Sequence, residues 1–218
     1  MNKKALLVVN GELPSAKLLA DLREETKFVI CTDGAARKLK ERNIIPDVVI
    51  GDLDSLSLSE REYYEKKSNI IKKPSQYETD FEKALNYLEE NCFGEVLLTG
   101  IKGERFDHAF SNTSIFAKNG DRFVFKLFDD DGFGLVLNGG NRNLELEIQK
   151  GTTVSLLALP CAEGIATKGL LYPLKNETLR FGEREGQSNE ASEDIVSVTI
   201  KKGKLLVFIL SPFHVAGH

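Results

Sequence analysis

The chain has 218 residues, 41% of them apolar, enough for one large or two modest domains without external staples. Its 29 basic and 33 acidic residues give a formal charge of -4, which excludes the basic footprint of a nucleic-acid binder. A phosphorylated ligand is not excluded, because magnesium, arginine and backbone N–H groups can meet its charge locally. Cys31, Cys92 and Cys161 cannot close a paired disulfide framework, and their spacing fits no zinc cluster.

Lys3 and Lys4 precede an apolar run too short for a signal peptide or a membrane span, so it reads as a first strand. A soluble cytoplasmic protein with no membrane partner is the expectation. Ala5 to Val9 is closed by the turn residues Asn10 to Pro14, after which Ala16, Leu19 and Leu22 recur at helical spacing. Phe28 to Cys31 and Val48 to Ile50 read as buried strands, separated by a helix over Ala35 to Lys40. Ser59 is placed to cap a polar helix, and Asn69 to Ile71 makes a short strand that Pro74 stops.

Thr79-Asp80-Phe81-Glu82 has the spacing of a capping box, with Phe81, Leu85 and Leu88 on one face of the helix it opens. Burial of that stripe would present Asp80 beside the strand ends. Glu95 to Gly100 repeats the strand-to-loop pattern and leads into a helix with Phe106, Phe110 and Ala117 on its inner face. Arg122 to Phe128 supplies a last strand, and Asp129-Asp130-Asp131-Gly132 reads as a polar turn or linker rather than an acid site. Strands alternating with helices predict a parallel sheet covered by helices.

Beyond residue 130 the period becomes two. Leu144 to Ile148 alternates, Thr153 to Leu159 is a strand, and Ser197 to Ile200 with Leu205 to Leu210 is expected to form a hairpin around Lys202-Gly203. The expected architecture is therefore an α/β domain over 1–130 followed by an all-β sandwich over 131–218.

Chemistry concentrates in the first half. If the backbone stays extended through Gly51-Asp52-Leu53-Asp54-Ser55, Asp52 and Asp54 point to one side, and two hard oxygen ligands there suit Mg²⁺ with a polyphosphate; otherwise the pair only caps a turn and stabilises the loop. Asp80 completes that cluster, accepts a proton from an attacking alcohol, or merely caps its helix. Asp33-Gly34, Thr79-Asp80 and the loop bearing Arg105, Asp107 and His108 all fall at strand ends or helix starts, where an open parallel sheet binds ligands. The Arg105 fork suits phosphate oxygens, and Asp107 either positions it, holds a metal-bound water or meets the substrate. His108 is better suited to structural hydrogen bonding than to direct chemistry. The segment Gly100 to Arg105 is not a P-loop, and its glycines either approach phosphates or form a flexible turn.

With these residues assembled, the chain resembles the thiamine pyrophosphokinase family. The signatures are Asp33-Gly34-Ala35, Pro46-Asp47 into Gly51-Asp52-Leu53-Asp54-Ser55, Gln76 with Thr79-Asp80, Gly100 to His108, Gly169 to Leu174, and Ser188-Asn189-Glu190. The resemblance implies an ATP-binding catalytic domain over 1–130 and a thiamine-binding β-sandwich over 131–218. It implies a homodimer with thiamine sites between subunits, using ATP and Mg²⁺ to give thiamine diphosphate and AMP. By the same resemblance Asp52, Asp54 and Asp80 form the metal centre, Asp33 and Asp107 are further active-site carboxylates, and Arg105 faces phosphate. Gly34, Thr79 and Gly100 are implied near ATP, and Tyr172, Ser188 and Asn189 in the thiamine pocket or its support; Gly11 either approaches the nucleotide or ends its strand in a turn, and His108 is a further candidate beside the nucleotide. Lys102 and Glu104 stand where family members often carry smaller residues, and the later half has no Trp.

Two other readings use the same residues. A Mg²⁺-dependent nucleotide pyrophosphohydrolase would place water where thiamine stands, and a nucleotide-sensing binding protein would hold ATP without turnover.

Overall fold

The structure, a computed structural model, describes residues 3–75, 77–103, 105–140 and 142–210. Gln76 and Glu104, both within the signatures above, lie outside the described residues. Two compact units divide between Asp130 and Asp131.

The first unit is built on a parallel sheet of β1 (Lys3–Val8), β2 (Val29–Thr32), β3 (Val48–Gly51), β4 (Asn69–Lys72), β5 (Phe93–Thr99) and β6 (Val124–Asp129). Every residue of β2 and β3 is buried, as strands covered on both faces require. The helices are α1 (Ala16–Thr26), α2 (Asp33–Glu41), α3 (Leu58–Glu65), α4 (Asp80–Glu90) and α5 (Phe106–Asn119). Tyr64 on α3 is fully buried and donates its hydroxyl to the Ala36 carbonyl at 2.7 Å, joining α3 to α2.

Local chemistry sets the helix starts. The Thr79 hydroxyl accepts from the Glu82 N–H at 3.2 Å, and the Glu82 carboxylate accepts from the Thr79 N–H at 3.1 Å, completing the expected capping box. On α3 the cap is Ser57 rather than Ser59: its hydroxyl accepts from the Glu60 N–H at 3.3 Å, and Glu60 answers at 2.9 Å. The Ser57-x-x-Glu60 spacing is that of a capping box, and this reciprocal pair sets the helix start two residues before the expected cap. On α1, Leu18 is buried beside Leu19 and Leu22 while Ala16 is exposed. On α5 the expected inner face fails at its start. Phe106 and Phe110 are 80% and 56% exposed, and burial begins only at Ile115 and Phe116. Periodicity assigns a face of a helix but not the length over which that face is covered.

The strand order is β4-β3-β2-β1-β5-β6, so successive connections move outward from β1 to β4 and then reverse. Helix α4 makes the return, packing on β2, β3 and β5. The reversal opens a topological switch point between β1 and β5, where such sheets bind ligands beyond their carboxyl ends. The two loops leaving these strands meet backbone to backbone: the Gly11 N–H donates to the Gly100 carbonyl at 2.6 Å, and the Glu12 N–H to the Lys102 carbonyl at 2.6 Å.

The second unit is antiparallel, with β7 (Gly132–Asn138), β8 (Arg142–Glu147), β9 (Thr153–Lys168), β10 (Lys175–Arg180), β11 (Gly186–Glu190), β12 (Ile195–Ile200) and β13 (Lys202–Leu210). Its organiser is β9, which pairs with β11 and β10 along one edge and with β13 and β12 along the other. Val154, Leu156, Ile165, Val198 and Val207 lie in one buried cluster enclosed by these strands. The expected hairpin does not form, because β12 and β13 each pair with a different stretch of β9. β12 and β13 follow one another along a single edge of β9, with Thr199 opposite Ala166 and Lys202 opposite Glu163, so the chain runs on where a hairpin would turn back.

Gly100 adopts φ +76°, and a Cβ there would lie 2.2 Å from the Val9 carbonyl oxygen. Gly100→Ala is therefore expected to destabilise the protein by more than about 2 kcal/mol in urea unfolding, combining a positive-φ cost with a backbone clash. A change below about 0.5 kcal/mol would contradict this loop contact.

Candidate active site

Three carboxylates converge at the carboxyl edge of the first unit. Asp33 opens α2 directly after β2, Asp52 follows β3, and Asp80 opens α4. One oxygen from each lies within 4.8 Å of the others. Asp33 is 2% exposed and accepts the Leu53 N–H at 2.8 Å. A Cβ at Gly51 would stand 2.6 Å from the Asp33 Cγ, so glycine is what admits this carboxylate beside β3.

The backbone at Asp52 is not extended as expected. Leu53 turns into the left-handed region at φ 70°, and the Asp54 N–H folds back onto the Asp52 carboxylate at 3.1 Å. This Asx-type turn replaces strand alternation. Leu53 is buried, whereas Asp54 is exposed, bonds Ser55, and stands outside the three-carboxylate group. Asp33 takes the place by that group that the sequence pattern gave to Asp54.

Burial first, and then the neighbouring Asp80 charge, push the Asp33 carboxyl up to about 6, against the pull of the Leu53 and Gly34 N–H groups. Lys83, one turn into α4 and 3% exposed, donates to Asp80 at 2.8 Å. These groups face a cavity of about 470 Å³ whose wall also includes Asn10, Thr32, Thr79, His108 and Asn112. The Thr32 hydroxyl is buried without a protein partner at this wall, and the Thr99 hydroxyl is likewise unpartnered at the end of β5. Oxygen donors crowded by mutual repulsion, with no His or Cys among them, fit a hard divalent ion such as Mg²⁺.

The other expected residues are less convergent. Arg105 precedes α5 and holds Asp107 by two bonds, at 3.1 and 2.6 Å, with both side chains largely exposed and outside the cavity wall. That guanidinium keeps Asp107 below the usual carboxylate range. Gly11 and Gly100 are engaged in the contact between their loops, and Gly34 lines a smaller recess with Asn10, Arg37, Lys38 and Ser55. Asp130, from the acidic turn, accepts the Ser15 N–H at 2.8 Å at the start of α1. Sequence reasoning did not single out Thr32, Lys83 or Asn112. Lys83 carried a usable signal, since its i,i+3 spacing from Asp80 places both on one face of the same helix start.

In the second unit Asn189 clamps the backbone of Tyr172, accepting its N–H at 3.1 Å and donating to its carbonyl at 2.7 Å. Asn189 is buried while Tyr172 is 69% exposed. Ser188 sits at φ 57° with its N–H on the Ser155 hydroxyl at 3.0 Å.

In the metal-free protein Asp33, ordinarily near 3.8 but about 6 when folded, takes up its charge later in the folded than in the unfolded chain. Its contribution to stability therefore falls as pH rises through that interval and remains unfavourable above it. Asp33→Asn should flatten this dependence and stabilise the metal-free protein at neutral pH by on the order of 1–2 kcal/mol in urea unfolding. Destabilisation there would contradict the burial argument.

Comparison with known proteins follows the same division. Residues 19–125 match the family model for the thiamin pyrophosphokinase catalytic domain, and residues 142–205 match that for the thiamin pyrophosphokinase vitamin B1 binding domain. Thiamine pyrophosphokinase 2 of Arabidopsis thaliana is 28% identical over 220 residues, covering 89% of this chain and 81% of that protein. The Saccharomyces cerevisiae thiamine pyrophosphokinase is 42% identical over 140 residues, covering 60% of this chain and 39% of that protein. The crystal structure of the Bacillus subtilis thiamine pyrophosphokinase superposes with a TM-score of 0.80 at 23% identity, over 97% of this chain and all (100%) of that one. The Candida albicans enzyme gives 0.77 at 21% identity, over 96% and 89%. The two family models together, in this order, establish that the chain is an enzyme belonging to the thiamine pyrophosphokinase family.

Proposed function

We propose that the protein is a thiamine diphosphokinase, transferring the diphosphate of ATP to the primary hydroxyl of thiamine and releasing AMP. The observation that carries this reading is the meeting of buried Asp33 with half-buried Asp52 and Asp80 on one cavity, inside the stretch matched by the catalytic-domain model. The same acidic wall would serve a pyrophosphohydrolase. What favours transfer is the second match, to a vitamin B1 binding domain, over the region holding Tyr172, Ser188 and Asn189.

In this reading Asp52 and Asp80, with Asp33 beside them, would hold Mg²⁺, and Asp54 would support them from the adjoining turn. When bound there, the ion supplies Lewis-acid neutralisation of the polyphosphate. The thiamine oxygen forms a bond to the β-phosphorus and releases its proton, while the bond from that phosphorus to the α,β-bridging oxygen breaks and AMP departs. Arg105, held flat by Asp107, clamps phosphate oxygens through its fork. Thr79 and the loop backbones at Gly11, Gly34 and Gly100 border the nucleotide, with His108 in the cavity wall. Tyr172, exposed and fixed by Asn189, offers a ring to thiamine, and Ser188 supports it. Most of the acceleration comes from alignment and fixed charge rather than covalent chemistry.

The proposal includes a homodimer with thiamine sites between subunits. No helix among the described residues is long and apolar enough to cross a membrane, and the cysteines are free thiols, which supports a reducing cytoplasmic setting.

Incubation with ATP, Mg²⁺ and thiamine, with products resolved by mass, should give thiamine diphosphate and AMP. AMP with pyrophosphate and no thiamine product would favour hydrolysis, and thiamine monophosphate with ADP would reject diphosphate transfer. Asp52→Asn should lower Mg²⁺-dependent turnover by about 100-fold or more with the fold intact. Arg105→Lys should cost about tenfold or more, since charge remains but the fork is lost. Near-normal turnover in either variant would remove that residue from the scheme.

A further inference from the structure

Lys83 breaks two local rules at once. It lies in the first turn of α4, where the helix dipole disfavours a cation, and its side chain is 3% exposed, where an ammonium requires compensation. Its acceptor among the described residues is a single carboxylate oxygen, that of Asp80 at 2.8 Å. An ammonium carries three donors and no acceptor, so one bond leaves two donors on the cavity wall without an acceptor among the described residues. Nothing about folding α4 calls for this arrangement. A methionine would fill the volume without the charge.

The charge balance of the cavity gives the residue a purpose. Asp33, Asp52 and Asp80 carry three negative charges when all are ionised, in a wall that a polyanion must approach. A single divalent ion would leave that wall net negative. One divalent ion together with Lys83 brings it to neutrality and leaves ammonium donors for phosphate oxygens.

We infer that Lys83 is the fixed cation of the polyphosphate subsite, giving one N–H to Asp80 and its remaining donors to phosphate oxygens of the nucleotide. The inference rests on the diphosphate-transfer reading for the identity of the ligand. It differs from the role given to Arg105, whose side chain is exposed: Lys83 is prepaid in the folded protein, held at its station by Asp80 before ligand arrives. It is thus assigned as a catalytic residue in contact with substrate, and not only as the counter-charge of Asp80.

The test uses the full-length protein and two variants, Lys83→Met and Lys83→Gln, each checked for cooperative thermal unfolding, so that one can replace the other if it fails to fold. Calorimetric titration with Mg·ATP should show affinity weakened by about tenfold or more, the scale of a lost charge-assisted hydrogen bond, and KM for thiamine should stay within about threefold. In wild-type protein labelled with ¹⁵N-lysine, the Lys83 Nζ resonance, identified by its loss in Lys83→Gln, should shift when Mg·ATP binds. Unchanged Mg·ATP affinity in a folded variant, or an Nζ resonance that Mg·ATP leaves in place, would overturn the assignment and reduce Lys83 to a partner of Asp80. A wild-type protein that binds Mg·ATP through Lys83 yet forms no thiamine diphosphate would overturn the transfer reading and leave this one standing.

Discussion

Asp33 is a carboxylate kept almost dry beside two others, and much of the first unit is arranged to hold it there. The Leu53 N–H reaches it from the turn after β3, and Gly51 leaves the space it occupies. Burial and the Asp80 charge hold its carboxyl well above the ordinary range, because its ionised form is poorly solvated beside a like charge. A bound cation reverses the sign of that interaction. The turn at Asp52 serves the same constraint: Leu53 is driven into the left-handed region, where a non-glycine residue is strained, and its N–H thereby meets Asp33.

Topology explains why these residues meet although they are far apart in the chain. Parallel strands with helical crossovers bring every strand end to one edge, and α2 and α4 begin there with an acidic residue in the first turn. The reversal of strand order sends α4 back across the sheet, so that the capping box at Thr79 delivers Asp80 over the ends of β2 and β3. Loop closure at the switch point depends on backbone contacts between Gly11 and Gly100 that side chains would forbid. The apolar stripe of α4, the cap that starts it and the carboxylate it carries form a single device: burial of Phe81, Leu85 and Leu88 fixes the helix rotation that aims Asp80.

Much of this was legible in the sequence because period and punctuation report local physics. Buried parallel strands read as short apolar runs, the change to period two marked the antiparallel unit, and the Thr79 capping box was explicit in the residue spacing. The misreadings share a cause. Alternation along Gly51 to Ser55 presumed an extended backbone, and a single positive φ at Leu53 turned Asp54 away from the three-carboxylate group. The pattern of α5 gave a face, but Phe106 and Phe110 lie where that face is uncovered. The lost hairpin reflects non-local pairing with β9, and Lys83 was passed over because its i,i+3 spacing from Asp80 reports a shared helix face but not its burial. The bonds from the Asn189 side chain to the Tyr172 backbone join two distant stretches of the second unit, a contact that no local pattern in the sequence reports.

The central claim is that the carboxylates at the strand ends gather one metal-bound polyphosphate. Anomalous diffraction from crystals grown with Mn²⁺ and a non-hydrolysable ATP analogue tests it most directly. The account predicts a manganese peak bonded to carboxylate oxygens of Asp52 and Asp80 and to phosphate oxygens of the analogue. A peak elsewhere, with these carboxylates unligated and the phosphates distant from them, would contradict it.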